Sequence, residues 1–194
     1  WILTNLKSDT MRKFLMISRL LYDKGYRQYV DAARTIRERR SDCVFYIAGD
    51  IDESYPKHVP REVLEKDVES GAIECLGYQQ DIGRFIQDMD CIVLPSYYSE
   101  GLSRVLMEAL AMKKPVITTD IPGCRETVDD GINGFVCEPR STASLITAIE
   151  KLLRLSDKEL TEMGEKGRKK AEEQFDIRSV IKIYHDIVDR HDRP

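Results

Sequence analysis

Short apolar runs alternate with longer stretches of helical periodicity along almost the whole chain. The runs are apolar on both faces, which is typical of strands in a parallel sheet that is covered on both sides. This pattern predicts strands at 14–17, 44–48, 72–76, 91–94, 116–118 and 134–137. Apolar residues that recur every three or four positions predict helices at 26–40, 61–69, 82–89, from 101 onward, 141–155, 157–173 and 177–189.

The alternation of strands and helices indicates βαβ units, in which each crossover between parallel strands is right-handed. We therefore predict an α/β fold, with a Rossmann-like parallel sheet and helices on both faces. In such open sheets the carboxyl ends of the strands form the edge where ligands bind. Residues that directly follow the predicted strands are the first candidates for a functional site.

The composition excludes several classes of protein. A net charge of −4 over 194 residues argues against a nucleic-acid partner. No apolar run approaches the ~18 residues of a membrane span, and the first residues lack the layout of a signal peptide. Five cysteines without a C-x-x-C pair favour buried free thiols in a reducing compartment, so we expect a cytoplasmic protein.

The segment EGLSRVLMEALAM, bracketed by Glu100 and Glu108, follows the predicted strand 91–94. We expect its helix to open at Gly101 and to direct N–H groups and a positive dipole end at the ligand edge. Two carboxylates there suit hydroxyl-rich groups such as a sugar and a ribose. The alternatives are an ion pair between Glu108 and Arg104 one turn away, and a favourable charge at a helix start for Glu100.

Two further loops follow strands at the same predicted edge. Arg19 and Lys24 lie after the first strand. The forked guanidinium of arginine and the mobile ammonium of lysine together suit a diphosphate. Both residues can equally be solvated loop charges. The loop 77–81 follows the third strand. Its backbone groups can hydrogen-bond a nucleobase, or Asp81 can simply cap the next helix.

Several familiar chemistries are absent from the sequence. Asp88-Met89-Asp90 fits D-x-D, but it precedes the strand 91–94 and therefore lies at the amino end, away from the ligand edge. No His or Cys residues have metal-ligand spacing, and the glycine-rich NAD, P-loop and serine-nucleophile motifs are absent. We predict a site without a metal.

At this point the residues match a known family. The chain resembles the C-terminal, nucleotide-sugar-binding domain of glycosyltransferase family 4, which has the GT-B fold. The resemblance covers roughly residues 12–175 and is carried by 18–25, 76–81, the E-x7-E segment 100–108, 115–123 and 130–135. The segment 121–126 is most similar to members that build bacterial capsular or lipid-linked surface polysaccharides.

The resemblance implies a retaining transferase that uses a UDP- or GDP-sugar as donor substrate and needs no cofactor. Arg19 and Lys24 would hold the donor diphosphate, and Glu108 would bind the ribose hydroxyls. Glu100 would face the donor sugar and phosphates together with backbone N–H groups of Gly101, Leu102 and Ser103. The base would be framed by Tyr78, Gln79 and Asp81.

The resemblance also implies a preceding domain that binds a saccharide or lipid-linked acceptor. We expect these 194 residues, read as leader 1–11, donor domain 12–175 and terminal helix 176–194, to be inactive without that domain. In the family the terminal helix crosses toward the acceptor domain, so its apolar surface predicts self-association here. The alternative is that the helix folds back and covers this surface on its own sheet. The full-length protein would contact the inner face of the membrane where its acceptor is lipid-linked.

Two departures from the family pattern stand out. Ser18 replaces a usual glycine, and Met112-Lys113-Lys114 replaces a usual pair of a small residue and glycine before Pro115. Two other functions also fit the residues: a GT-B-like nucleotide-sugar epimerase, for which only Glu100 offers a suitable acid or base, and a non-catalytic nucleotide-binding module.

Overall fold

The structure is a computed structural model that describes residues 11–98, 101–176 and Arg178. Its strands are β1 (Arg12–Ile17), β2 (Cys43–Ala48), β3 (Glu74–Gly77), β4 (Cys91–Leu94), β5 (Val116–Thr119) and β6 (Gly134–Cys137). Its helices are α1 (Tyr26–Arg39), α2 (Arg61–Glu69), α3 (Ile82–Gln87), α4 (Arg104–Ala111), α5 (Thr142–Leu153) and α6 (Asp157–Gln174), with 3-10 turns at Tyr22–Lys24 and Arg125–Thr127. The predicted helix 177–189, and the self-association expected of it, lie outside the described residues.

The six strands form one parallel sheet in the order β3-β2-β1-β4-β5-β6. The chain winds outward from β1 to β3 and then returns to the centre at β4, so the strand order reverses between β1 and β4. In a doubly wound sheet this reversal opens a crevice at the carboxyl ends of the two central strands. The predicted Rossmann-like fold class is confirmed.

The central strands are buried on both faces, as their apolar runs predicted. Phe14 and Leu15 are both inaccessible to solvent but belong to different core clusters, because successive side chains of a strand point to opposite faces. Phe14 stacks on Phe45 with ring centroids 4.8 Å apart, in the cluster to which α1 and α5 contribute. Leu15 lies in the cluster to which α3 and α4 contribute, so helices cover both faces of the sheet.

The thiols are free, and Cys43, Cys91, Cys124 and Cys137 are buried, as expected from their apolar surroundings. Burial raises the pKa of the Cys91 thiol and raises that of Cys137 to about 12, so both stay protonated and inert at neutral pH. Within the described ranges no helix is both long and apolar enough to cross a membrane.

The start of α4 differs from the prediction. The sequence suggested a helix opening at Gly101, but Gly101 and Leu102 form a bend and the helix begins at Arg104, with Ser103 as its N-cap residue. Ser103 has an extended backbone, and its N–H donates to the carbonyl of Gly123 at 3.0 Å, in the loop after β5. This tertiary hydrogen bond holds the chain out of helical geometry for three more residues.

The turn after α4 shows the physical effect of one departure from the family pattern. Lys113 has a φ of 60°, the left-handed region that favours glycine. The carbonyl of Lys113 also lies so close to Gly164 of α6 that a Cβ there would stand 2.1 Å from its oxygen. A strained turn therefore joins α4 to the packing surface of α6.

Candidate functional site

The carboxyl ends of β1 and β4 open onto a cavity of about 350 Å³, which we call the β1–β4 cavity. It lies where the strand order reverses, the usual place for a ligand in an open α/β sheet. Four of the residues singled out from the sequence line it together: Arg19, Lys24, Leu102 and Ser103. Gly101 lies one residue before this lining, in the bend that precedes α4.

The N-terminus of α4 also borders the β1–β4 cavity, through Arg104 and Val105. The first N–H groups of a helix have no partner within it, and in α4 the side chain of the N-cap residue Ser103 does not cap them. They can therefore bind an anion. The sequence argument assigned this role to Gly101, Leu102 and Ser103, but the Ser103 N–H is already bonded to Gly123. Ser103, a preferred N-cap residue type, was the signal that could have placed the helix start correctly.

Arg19 has an acidic partner that the sequence argument missed. Its Nη1 donates to Asp52 Oδ2 at 2.8 Å, and its guanidinium lies over the ring of Tyr55, 5.4 Å from the centroid. Asp52 and Tyr55 both belong to the loop between β2 and α2. The hydroxyl of Ser54 and then the guanidinium of Arg19 lower the pKa of Asp52, so the carboxylate is charged at neutral pH.

Lys24 ends the 3-10 turn of the β1–α1 loop, and its Nζ lies over the ring of Tyr98, 5.5 Å from the centroid. The next residue, Gly25, has a φ of 84°, and a Cβ there would lie 2.1 Å from the carbonyl oxygen of Pro95. Only glycine permits this approach, which holds the Lys24 turn against the β4–α4 loop.

Asp23 ties three loops of the ligand edge together. Its carbonyl accepts from the N–H groups of Tyr97 at 2.9 Å and Tyr98 at 3.2 Å, in the β4–α4 loop. Its buried carboxylate pairs with Lys57 of the β2–α2 loop at 2.9 Å, and this hydrogen bond raises the pKa of Lys57. The turn that carries Lys24 is therefore fixed to both neighbouring loops. Nothing in the local sequence marks Asp23 as buried.

Glu108 lies one turn after Arg104 on α4 and pairs with it at 3.4 Å, as the ion-pair alternative predicted. The Glu108 side chain is 44% exposed, so the pair leaves the carboxylate accessible. Glu108 also lines a groove of about 340 Å³ between α3 and α4, together with Gln80 and Asp81. This α3–α4 groove places Glu108 next to the loop after β3, while its ion-pair partner Arg104 lines the β1–β4 cavity.

The loop after β3 is divided between two grooves. Tyr78 is 70% exposed, and it lines a separate groove of about 950 Å³ with Gln79 and Asp81, alongside α3. The amide of Gln79 donates to the carbonyl of Leu76. Asp81 occupies the N-cap position of α3, but its side chain makes no capping hydrogen bond. Gln80, which the sequence argument did not select, is the loop residue that shares the α3–α4 groove with Asp81 and Glu108.

Two other predicted features have different outcomes. Glu100 lies outside the described residues, so its role stays a prediction. The D-x-D acid Asp90 lies at the amino end of β4, as expected, where Oδ2 accepts from the backbone N–H of Lys13 at 2.7 Å. Over 11–98, 101–176 and Arg178 no group of three or more His, Cys, Asp or Glu side chains could hold a metal. The metal-free site itself stays a prediction.

A doubly wound parallel sheet with cations and a helix N-terminus at its switch point defines a Rossmann-like domain of the kind that binds nucleotides. The family model for glycosyl transferases group 1 matches residues 4–170. The chain belongs to this family.

Curated relatives make this assignment more specific. An N,N'-diacetylbacillosaminyl-diphospho-undecaprenol alpha-1,3-N-acetylgalactosaminyltransferase from Campylobacter jejuni is 30% identical over 96% of this chain and 46% of its own length. A capsular polysaccharide biosynthesis glycosyltransferase, CapM of Staphylococcus aureus, is 30% identical over 82% of this chain and 41% of its own. The chain thus spans about half the length of the curated relatives that it matches.

Solved structures identify the fold. A glycosyltransferase from Rickettsia africae superimposes with a TM-score of 0.81 at 27% identity, over 94% of this chain and 49% of its own. Anabaena HepE, solved in complex with UDP, superimposes with a TM-score of 0.82 at 20% identity, over 93% and 49%. These neighbours have the GT-B fold, so the chain is one Rossmann-like half of that architecture.

Proposed function

We propose that this chain is the donor-binding domain of a retaining glycosyltransferase. The enzyme would move a sugar from a UDP- or GDP-sugar to a saccharide or lipid-linked acceptor during the synthesis of a cell-surface polysaccharide. The observation that carries the proposal is the β1–β4 cavity, where Arg19, Lys24 and the α4 N-terminus meet at the switch point of the sheet. Three sources of positive charge around one cavity fit a diphosphate.

The geometry suggests where each part of one donor molecule would bind. The diphosphate would occupy the β1–β4 cavity, between the β1–α1 loop and the start of α4. The ribose would lie by Glu108, and the base would extend along the α3–α4 groove toward Gln80 and Asp81. The sugar would lie at the outer end of the diphosphate, and we expect from the family resemblance that Glu100 faces it.

The chemistry follows from where charge develops. As the bond between the sugar and the nucleoside diphosphate breaks, negative charge grows on the leaving β-phosphate. Arg19, Lys24 and the N-terminus of α4 would stabilise that charge, and in enzymes the loss of one such donor typically costs ~3 kcal/mol of barrier, about 10²-fold in rate. These positive groups would take the place of a divalent metal.

The acceptor side belongs to the rest of the enzyme. The chain covers 46% of the Campylobacter jejuni relative, and the name of that relative describes a diphospho-undecaprenol acceptor. This relative supports a lipid-linked acceptor for the whole protein, and with it peripheral contact at the inner face of the membrane.

The products formed by the full-length protein test this proposal. Incubation with UDP- and GDP-sugars and a membrane lipid extract should yield a glycosylated product whose anomeric configuration, read by NMR, matches that of the donor. An inverted product would contradict the retaining mechanism. Epimerised nucleotide sugar formed without acceptor would support the epimerase alternative, and nucleotide binding without any turnover would support a binding module.

A further inference from the structure

The ion pair between Arg19 and Asp52 joins the proposed diphosphate site to the β2–α2 loop. Arg19 lines the β1–β4 cavity, and its Nη1 lies 2.8 Å from Asp52 Oδ2. The Arg19 side chain is 56% exposed and that of Asp52 is 30% exposed, so both groups remain accessible to solvent and to an anion. An exposed pair of this kind is weak and can be broken by a stronger anion.

The β2–α2 loop holds Asp52 in place before any ligand arrives. The hydroxyl of Ser54 donates to Asp52 Oδ1, and the N–H of Tyr55 donates to the Asp52 carbonyl at 3.0 Å. The loop is anchored beside the arginine, because Leu20 donates to the Asp50 carbonyl at 2.9 Å and accepts from Val59 at 2.8 Å. A carboxylate is therefore fixed against one side of the guanidinium.

We propose that Asp52 is a displaceable partner of Arg19 that lowers the affinity of the site for nucleoside diphosphates and so promotes release of the diphosphate product. This inference rests on the proposed function. A diphosphate that binds Arg19 must either break the ion pair or share the guanidinium with a carboxylate. In both cases the Asp52 carboxylate repels the negatively charged diphosphate. A bound nucleotide sugar offsets this repulsion with further contacts through its sugar.

This repulsion weakens the binding only of ligands that contact Arg19. An internal competitor such as Asp52 leaves only a fraction of the molecules able to bind the ligand at once. The apparent affinity is the intrinsic affinity multiplied by that fraction. A diphosphate is subject to that reduction, but a nucleoside, which reaches only the ribose and base positions, is not. Removal of the Asp52 charge should therefore strengthen UDP or GDP binding and leave uridine or guanosine binding unchanged.

Calorimetric titration of UDP, GDP, uridine and guanosine tests the proposal with the variants Asp52→Asn and Glu53→Gln. Glu53 is the exposed neighbour of Asp52, so Glu53→Gln removes the same charge from the same loop and controls for the loss of long-range repulsion between the loop and the anionic ligand. Asp52→Asn should raise diphosphate affinity about two- to fivefold, the effect expected of one exposed ion pair. Glu53→Gln should change it by less than about twofold.

An Arg19→Ala background completes the test, because Asp52→Asn should have no more effect than Glu53→Gln once its partner is gone. The proposal is overturned if Asp52→Asn lowers UDP and GDP affinity, which would make Asp52 a positioning residue, or if it matches Glu53→Gln. It is also overturned if the gain persists without Arg19. Failure of the parent chain to bind either diphosphate is a separate result, since it would overturn the proposed function itself.

Discussion

At the scale of single residues, the site depends on side chains whose neighbours the fold selects. Lys24 and Arg19 are seven and two residues beyond the end of β1, but different contacts hold them. Gly25 presses the Lys24 turn onto Pro95, whereas Asp52 and Tyr55 hold the Arg19 guanidinium from another loop. The sequence places both cations at the ligand edge because they follow a strand. It cannot reveal Asp52, since this contact joins residues 33 positions apart.

Replacement of Lys24 by alanine should weaken UDP or GDP binding about 10- to 100-fold, because a hydrogen bond to a charged group contributes ~1.5–3 kcal/mol. Uridine and guanosine affinity should not change, since neither carries a phosphate. Lys166→Ala, which removes an exposed lysine from α6, is the matched control. Calorimetry would contradict the assignment if both lysine variants bound UDP and GDP equally well.

Replacement of Glu108 by alanine should lower the affinity for nucleosides and for nucleoside diphosphates by the same factor, about tenfold or more, because both contain the ribose. Glu173→Ala is a suitable control: Glu173 also forms an exposed i,i+4 pair, with Lys169 at 3.8 Å, but on α6. Unchanged affinity for uridine and guanosine in Glu108→Ala would show that this carboxylate only pairs with Arg104.

At the scale of elements, the apolar pattern predicted six strands, and the structure contains them with ends that differ by at most two residues. An apolar run that is buried on both faces leaves little ambiguity about where the strand lies. The predicted start of α4 was wrong by three residues. The N-cap preference of Ser103 was overlooked, and the hydrogen bond from the Ser103 N–H to Gly123, which fixes the extended backbone there, is not encoded in local spacing. The division of the 78–81 loop between two grooves has the same origin, since the packing of α3 against α4 sets which residues meet Glu108.

The turn after α4 offers a test of element-level strain. Lys113→Gly should raise stability by ~0.5–1 kcal/mol, because relief of the left-handed backbone outweighs the loss of its exposed ion pair with Glu165. The melting temperature should rise by about 1–4 °C. Lys113→Ala loses the same ion pair but keeps a Cβ, so its melting temperature should not rise. Equal stability of the two variants would show that the turn is not strained.

At the scale of the whole molecule, the chain is one Rossmann-like half of a GT-B fold and carries the positive charges proposed for the donor. We propose that the acceptor binds outside these 194 residues. Expressed alone, the 194 residues should therefore bind nucleotide but transfer no sugar to a lipid or saccharide acceptor. The full-length protein is the positive control in the same assay. Transfer by the purified 194-residue chain would mean that this half contains the acceptor site as well.

The most direct test of the account is calorimetric titration of this chain with UDP and GDP in buffer containing EDTA. We predict weak but measurable binding of at least one of them. That affinity should be unchanged when Mg²⁺ replaces EDTA, because Arg19, Lys24 and the α4 N-terminus supply the positive charge. Absence of binding in both buffers, or binding only with the metal, would contradict the account.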